Sequence, residues 1–272
     1  MALLHGFPET HLMWREIAPI LAESFRVVAF DLPGYGRSSC PVSDATHFRY
    51  SKRKLAQDVL EVMQRLGHSQ FSVAGHDRGG RVAYRLALDH SNRVDRLAVL
   101  DILVGTEAWD RADARLALSF WPWSLLAQPA PLPERILETA AEAIIEDAAT
   151  QWDSPSSAFP PDVRSAYAAA LADADHAHAI CEEYRAAATI DREHEVADLD
   201  AGRKISRPTL VLWAANSALD KWYLDAGGPL QIWRRWAGNV EGEAFEGGHF
   251  FPEVHPVETA NRLLAFFGQV RS

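Results

Sequence analysis

The stretch Phe71-Ser72-Val73-Ala74-Gly75-His76-Asp77-Arg78-Gly79-Gly80-Arg81 decides the fold. Its first residues read as a strand over 71–74, and residues 81–89 carry helical period. Between them lies a turn in which Gly75 and Gly79 flank a central carboxylate. Glycines are needed there because the tip of such a turn takes a strained backbone and the helix must pack close to the strand. Asp77 is therefore expected to be presented rather than buried. The plainer reading is that Asp77 only caps the helix that follows.

Two distant features favour chemistry. His5-Gly6-Phe7-Pro8 follows a short apolar run, as expected of a strand-end loop whose backbone N–H can face an oxyanion. Late in the chain, Glu246-Gly247-Gly248-His249-Phe250 places a lone histidine after a strand and before the last helix. A carboxylate in the turn can attack an sp³ carbon, displace a leaving group and become an ester that water then cleaves. Ester hydrolysis through an acyl-serine is thereby disfavoured.

Outward from these motifs the chain alternates strands and helices as parallel βαβ units require. Strands are expected at 26–30, 71–74, 96–100, 209–213 and 243–245. Helices are expected at 51–66, 81–89, 229–236 and 256–267. Residues 103–201 are rich in Ala, Trp and acidic residues and hold no strand candidate. The division is thus a core of 1–102 and 202–272 with an inserted helical cap at 103–201. Acidic stretches of the cap are expected to be solvated helix faces, and arginines such as Arg85 to lie on a helix surface.

With 272 residues and 48% hydrophobic composition, the chain can bury a sizeable core. The net charge of −10 disfavours nucleic acid and anionic membranes as partners. Cys40 and Cys181 make no disulfide framework, no apolar run approaches the roughly 18 residues of a membrane span, and the N-terminus lacks a basic leader. A cytoplasmic location is expected. His176 and His178, two apart on a helix, make a poor metal pair, and His255 reads as a surface residue. Neither a metal nor a cofactor is expected.

The chain resembles the α/β-hydrolases of the epoxide hydrolase and dehalogenase branch, and within it the haloacetate (fluoroacetate) dehalogenases. The resemblance rests on His5-Gly6-Phe7-Pro8, Asp31-Leu32-Pro33-Gly34-Tyr35-Gly36-Arg37-Ser38, Gly75-His76-Asp77-Arg78-Gly79-Gly80-Arg81, Val99-Leu100-Asp101-Ile102, Gln128-Pro129-Ala130-Pro131-Leu132-Pro133, Cys181-Glu182-Glu183-Tyr184-Arg185 and Gly248-His249-Phe250. It implies an α/β-hydrolase fold with a mostly parallel sheet and an inserted helical cap domain. Relatives carry about two strands before the His-Gly-Phe-Pro motif, so the resemblance implies truncated N-terminal strands and an exposed sheet edge. Dimers are common in this family, which implies a homodimer.

The resemblance also implies roles. Asp77 would be the nucleophile and His249 the base that deprotonates water. Backbone N–H groups of Phe7 and Arg78 would hold the oxyanion. Asp101 would orient His249; the competing loop after 209–213 has Ser217 where many relatives place an acid, with Asp220 three residues late. Haloalkane dehalogenases and most epoxide hydrolases put Trp after the nucleophile. Here Arg78 and Arg81 stand around Asp77, which points to a small anionic substrate held by its carboxylate. Halide donors would be Trp123 and Tyr184, whereas the family's His and a second Tyr are replaced by Pro122 and Ala108. Chloride or bromide should therefore leave more readily than fluoride. The alternatives are an epoxide hydrolase using Asp77 with Tyr167 and Tyr184 as acids, or a catalytically silent binding protein.

Overall fold

The computed structural model describes residues 1–269. Six strands, β1 (Ala2–Leu4), β2 (Val28–Phe30), β3 (Phe71–His76), β4 (Val94–Leu100), β5 (Thr209–Ala214) and β6 (Val240–Phe245), form one sheet. Their order is β2-β1-β3-β4-β5-β6, and every pairing is parallel. The expected strands are all present, and the edge on the N-terminal side is the short, partly exposed β2.

Alternation along the strands builds two cores. Leu3, Ala74, Ala98, Leu100, Leu210 and Leu212 face Ile17, Leu21, Leu263 and Phe266 on one side of the sheet. Leu4, Val73, Leu97, Val99 and Val211 face Leu55, Val59, Val82 and Trp233 on the other. A strand buried on both faces needs apolar residues at consecutive positions, which is why β3, β4 and β5 read as nearly continuous apolar runs. Both sides of the sheet are covered by helices joined through parallel crossovers.

Between β4 and β5 the described residues hold seven α-helices, from Gly105–Trp109 to Ile190–Asp200, and no strand. Acidic residues such as Glu138, Glu142, Glu146 and Asp175 lie exposed on helices, as expected, but one group departs from expectation. Glu182, Glu183, Asp191, Glu195 and Asp198 are buried. Lys52 pairs with Glu183 and lies 3.5 Å from Asp191, the Tyr84 hydroxyl donates to Glu195, and Arg85 lies 2.5 Å from Asp198. Arg85 is 1% exposed and is no surface residue. Charges removed from water must be matched, so these carboxylates clamp the helical segment to the basic face of Asp77–Asp89 and to Lys52.

Candidate active site

The turn after β3 has the shape its glycines imply. Asp77 sits at φ 41°, in the left-handed region, and the helix Asp77–Asp89 starts on it. A Cβ on Gly79 would lie 2.3 Å from the His5 carbonyl oxygen, and one on Gly75 would lie 2.4 Å from the Gly79 carbonyl oxygen. Glycine is required at both positions. His76 rather than Asp77 holds the N-cap position, and no side chain caps the helix. The Asp77 carboxylate instead accepts the Phe7 N–H at 3.0 Å, 70 residues away in sequence.

The turn that carries Phe7 is pinned from both ends. His5 is fully buried; its Nε2 accepts the Leu32 N–H at 3.0 Å and its Nδ1 donates to the Gly6 carbonyl at 2.8 Å. One acceptor and one donor nitrogen define a neutral ring, in keeping with the burial that lowers its pKa.

His249 meets Asp101. The Asp101 Oδ2 lies 2.6 Å from His249 Nδ1, and its Oδ1 accepts the Ala214 N–H at 2.8 Å. Asp101 is buried and, like Asp77, has a positive φ, of 51°. The competing acid is engaged elsewhere: Asp220 accepts the Trp213 indole N–H at 2.8 Å and the Asn216 N–H at 3.1 Å. The Ser217 hydroxyl is buried without a partner among the described residues.

Asp77, Arg81, Trp123, His249, Ala108 and Tyr223 line one narrow cavity of about 20 Å³, with Asp101, Phe120 and Leu219 also in its wall. A larger cavity of about 240 Å³ shares His249, Asp101, Phe120 and Leu219. Burial would raise the pKa of Asp77, but its interactions with His249, Arg78, His76 and Arg81 hold its carboxyl below the ordinary value. It is poised as an anion.

The two arginines differ. Arg78 Nε donates to Glu183 at 2.6 Å, and its guanidinium lies 4.0 Å from the centre of the Tyr184 ring. Arg81 is 6% exposed and makes no hydrogen bond or ion pair among the described residues; its guanidinium lies 4.3 Å from the centre of the Trp123 ring. Burial and the charge of Arg78 lower its pKa. A buried guanidinium without a carboxylate costs free energy unless a ligand supplies one.

Other expected residues fall as follows. Trp123 lines the cavity beneath the Arg81 guanidinium, whereas Tyr184 is buried and is not among the residues of its wall. Tyr184 packs edge-on against Phe7 at 5.7 Å. Pro122 is buried in the helix Trp121–Leu126. Tyr167 does not serve the epoxide alternative, because its buried hydroxyl donates to Glu253 at 3.0 Å. His176 faces the Gly34 carbonyl and His178 faces Glu134, and no group among the described residues could hold a metal. Sequence reading missed Tyr223 in the cavity wall and Glu183 behind Arg78. Tyr223 follows a short helix, Ala218–Trp222, with no periodic signal; Glu183 lies within the Cys181–Arg185 motif, but no local pattern points it to Arg78, 105 positions away.

This carboxylate at a strained strand-to-helix turn, sharing a cavity with an Asp-held imidazole beyond the ends of a helix-covered parallel sheet, defines a class. The sequence model of the alpha/beta hydrolase fold family matches residues 1–256, and the chain belongs to that family. It is a hydrolase of the dehalogenase and epoxide hydrolase branch. It is 37% identical over 274 residues to a fluoroacetate dehalogenase of Burkholderia sp, covering 100% of this chain and 88% of that protein. It is 30% identical over 290 residues to a soluble epoxide hydrolase of Corynebacterium sp. (strain C12), covering 100% and 91%. Among solved structures, ALR0039 of Nostoc sp PCC 7120 matches with a TM-score of 0.94 at 44% identity, over 99% of this chain and 90% of that one. Among the described residues no helix is long and apolar enough to cross a membrane.

Proposed function

We propose that the chain is a hydrolytic dehalogenase of short 2-haloacids, with residues 103–201 acting as the cap over its site. The observation that carries this reading is Arg81, a buried guanidinium that makes no hydrogen bond or ion pair among the described residues and shares a cavity with Asp77. A haloacetate would place its carboxylate on Arg81 and its halogen-bearing carbon against Asp77. Arg78 adds positive charge, although its Nε is committed to Glu183.

In the first step an Asp77 carboxylate oxygen attacks the carbon, the carbon–halogen bond breaks with its electron pair, and halide leaves as an ester forms. Trp123 and Tyr184 are the donors for the departing halide. In the second step His249 takes a proton from water, which attacks the ester carbonyl carbon of Asp77. The Phe7 and Arg78 N–H groups hold the resulting oxyanion, and Asp101 stabilises the imidazolium. Collapse expels the 2-hydroxy acid, whose departing oxygen takes the proton back from His249, and the Asp77 carboxyl loses its remaining proton to solvent to become a carboxylate again.

A panel of fluoro-, chloro- and bromoacetate with halide release as readout tests the reading; no halide from any of them would reject it. Arg81→Met should raise KM for chloroacetate by about 1.5 to 3 kcal/mol of lost charge-assisted contact, while leaving a neutral haloalkane little affected. Equal loss on both substrates would assign Arg81 to structure. The epoxide alternative is weaker, since Tyr167 is held by Glu253.

A further inference from the structure

Beneath the site lies a polar pair that the reaction scheme does not use. His76 and Glu9 are both fully buried. The Glu9 Oε2 accepts the Gly6 N–H at 3.0 Å and lies 2.8 Å from His76 Nδ1. On the other side of the ring, His76 Nε2 lies 2.9 Å from the His249 carbonyl oxygen. A carbonyl oxygen only accepts, and so does a carboxylate, so both ring nitrogens donate and the ring is an imidazolium.

We propose that the His76–Glu9 pair is a positioning device that ties the turn carrying the Phe7 N–H to the loop carrying His249. Gly6 precedes the oxyanion donor, and the His249 carbonyl belongs to the base itself, so a single cation sets the spacing of the two. The kinetic part of its test rests on the proposed role of His249; the spectroscopic part does not.

The surroundings favour the charged form. Burial alone would lower the His76 pKa, but Glu9, with Asp77 and Asp101, lifts it to about 9. The His249 ring packs 4.6 Å away. Behind Glu9 stands Glu253, which pairs with Arg15 and accepts from Tyr167; burial and Glu9 push its carboxyl up to about 8. Below about pH 9 the ring keeps both donations. Above it one nitrogen loses its proton and one of the two tethers is lost.

Glu9→Gln is the nearly isosteric test, because it keeps an acceptor and removes the charge. In the full-length protein labelled with ¹⁵N-histidine, NMR correlations through the ring should show both His76 nitrogens protonated up to about pH 9, and Glu9→Gln should lower that midpoint by about one unit or more. The variant should keep its single-turnover halide burst from chloroacetate. It should hydrolyse the ester between about tenfold and a hundredfold more slowly, the scale of a misplaced reacting group. The basic limb of its steady-state profile should move down together with the His76 midpoint. A wild-type His76 that is neutral at pH 7 would overturn the proposal, and this reading does not depend on whether the variant folds. An unchanged basic limb despite a shifted His76 midpoint would overturn it as well. If a folded His249→Ala gives no burst, the base lies elsewhere or the mechanism is not two-step, and the wild-type NMR titration still decides the state of the pair.

Discussion

His249→Ala should release about one equivalent of halide per chain from chloroacetate and then stall, with the ester detectable on Asp77 by mass spectrometry. In the proposed scheme alkylation needs only the Asp77 carboxylate, the arginines and the halide donors. His249 enters when water must lose a proton, a contribution of roughly 10² to 10⁴ in rate. Steady-state turnover should fall by that factor while the burst survives. The geometry supports this division of labour: Asp77 takes its hydrogen bond from Phe7 N–H, whereas His249 takes its orientation from Asp101. A folded variant with no burst would place the base elsewhere or remove the second step.

Chloroacetate or bromoacetate should be turned over at least about a hundredfold faster than fluoroacetate, the scale of one missing transition-state donor. Fluoride develops compact charge that is strongly hydrated outside the site and depends most on hydrogen bonds inside it. Ala108 lines the cavity with a methyl group, and Pro122 carries neither a side-chain donor nor a backbone N–H. Trp123 and Tyr184 remain. Pro122→His should narrow the gap, measured as the ratio of kcat/KM for the two substrates, although removing a proline also changes the backbone of the short helix that holds it. A ratio near one in the unmodified protein would mean that a further group supplies the donor, and Tyr223 on the cavity wall is then the first residue to replace.

What could be read from the chain and what could not divide along physical lines. Asp77 was legible because its turn is written locally, in glycines whose absent side chains let Asp77–Asp89 approach β1 and β3. His249 and Asp101 were legible because each ends a strand-to-loop transition in a fixed chain order. Strands β3, β4 and β5 were legible because burial on both faces leaves long apolar runs. Partner choice among charges was not. Glu183, Glu195 and Asp198 look like any acidic residues on a helix, and only the fold brings Arg78, Tyr84 and Arg85 to them across more than 100 positions. For the same reason the sequence did not separate Arg78 from Arg81. Among the described residues Arg78 is ion-paired with a carboxylate and Arg81 is not, and the proposed substrate contact rests on that difference. The tie between Glu9 and His249 through His76 likewise spans three distant segments that share no local pattern.

The central claim is that oxygen reaches the product through Asp77. A single turnover of chloroacetate in ¹⁸O-water, with enzyme in excess, tests it most directly, because water attacks the ester carbonyl and leaves its oxygen on the protein. The account predicts ¹⁸O in the peptide that contains Asp77 and unlabelled 2-hydroxy acid after that first turnover, with label entering product only in later ones. Label in the first-turnover product, with none on Asp77, would contradict it.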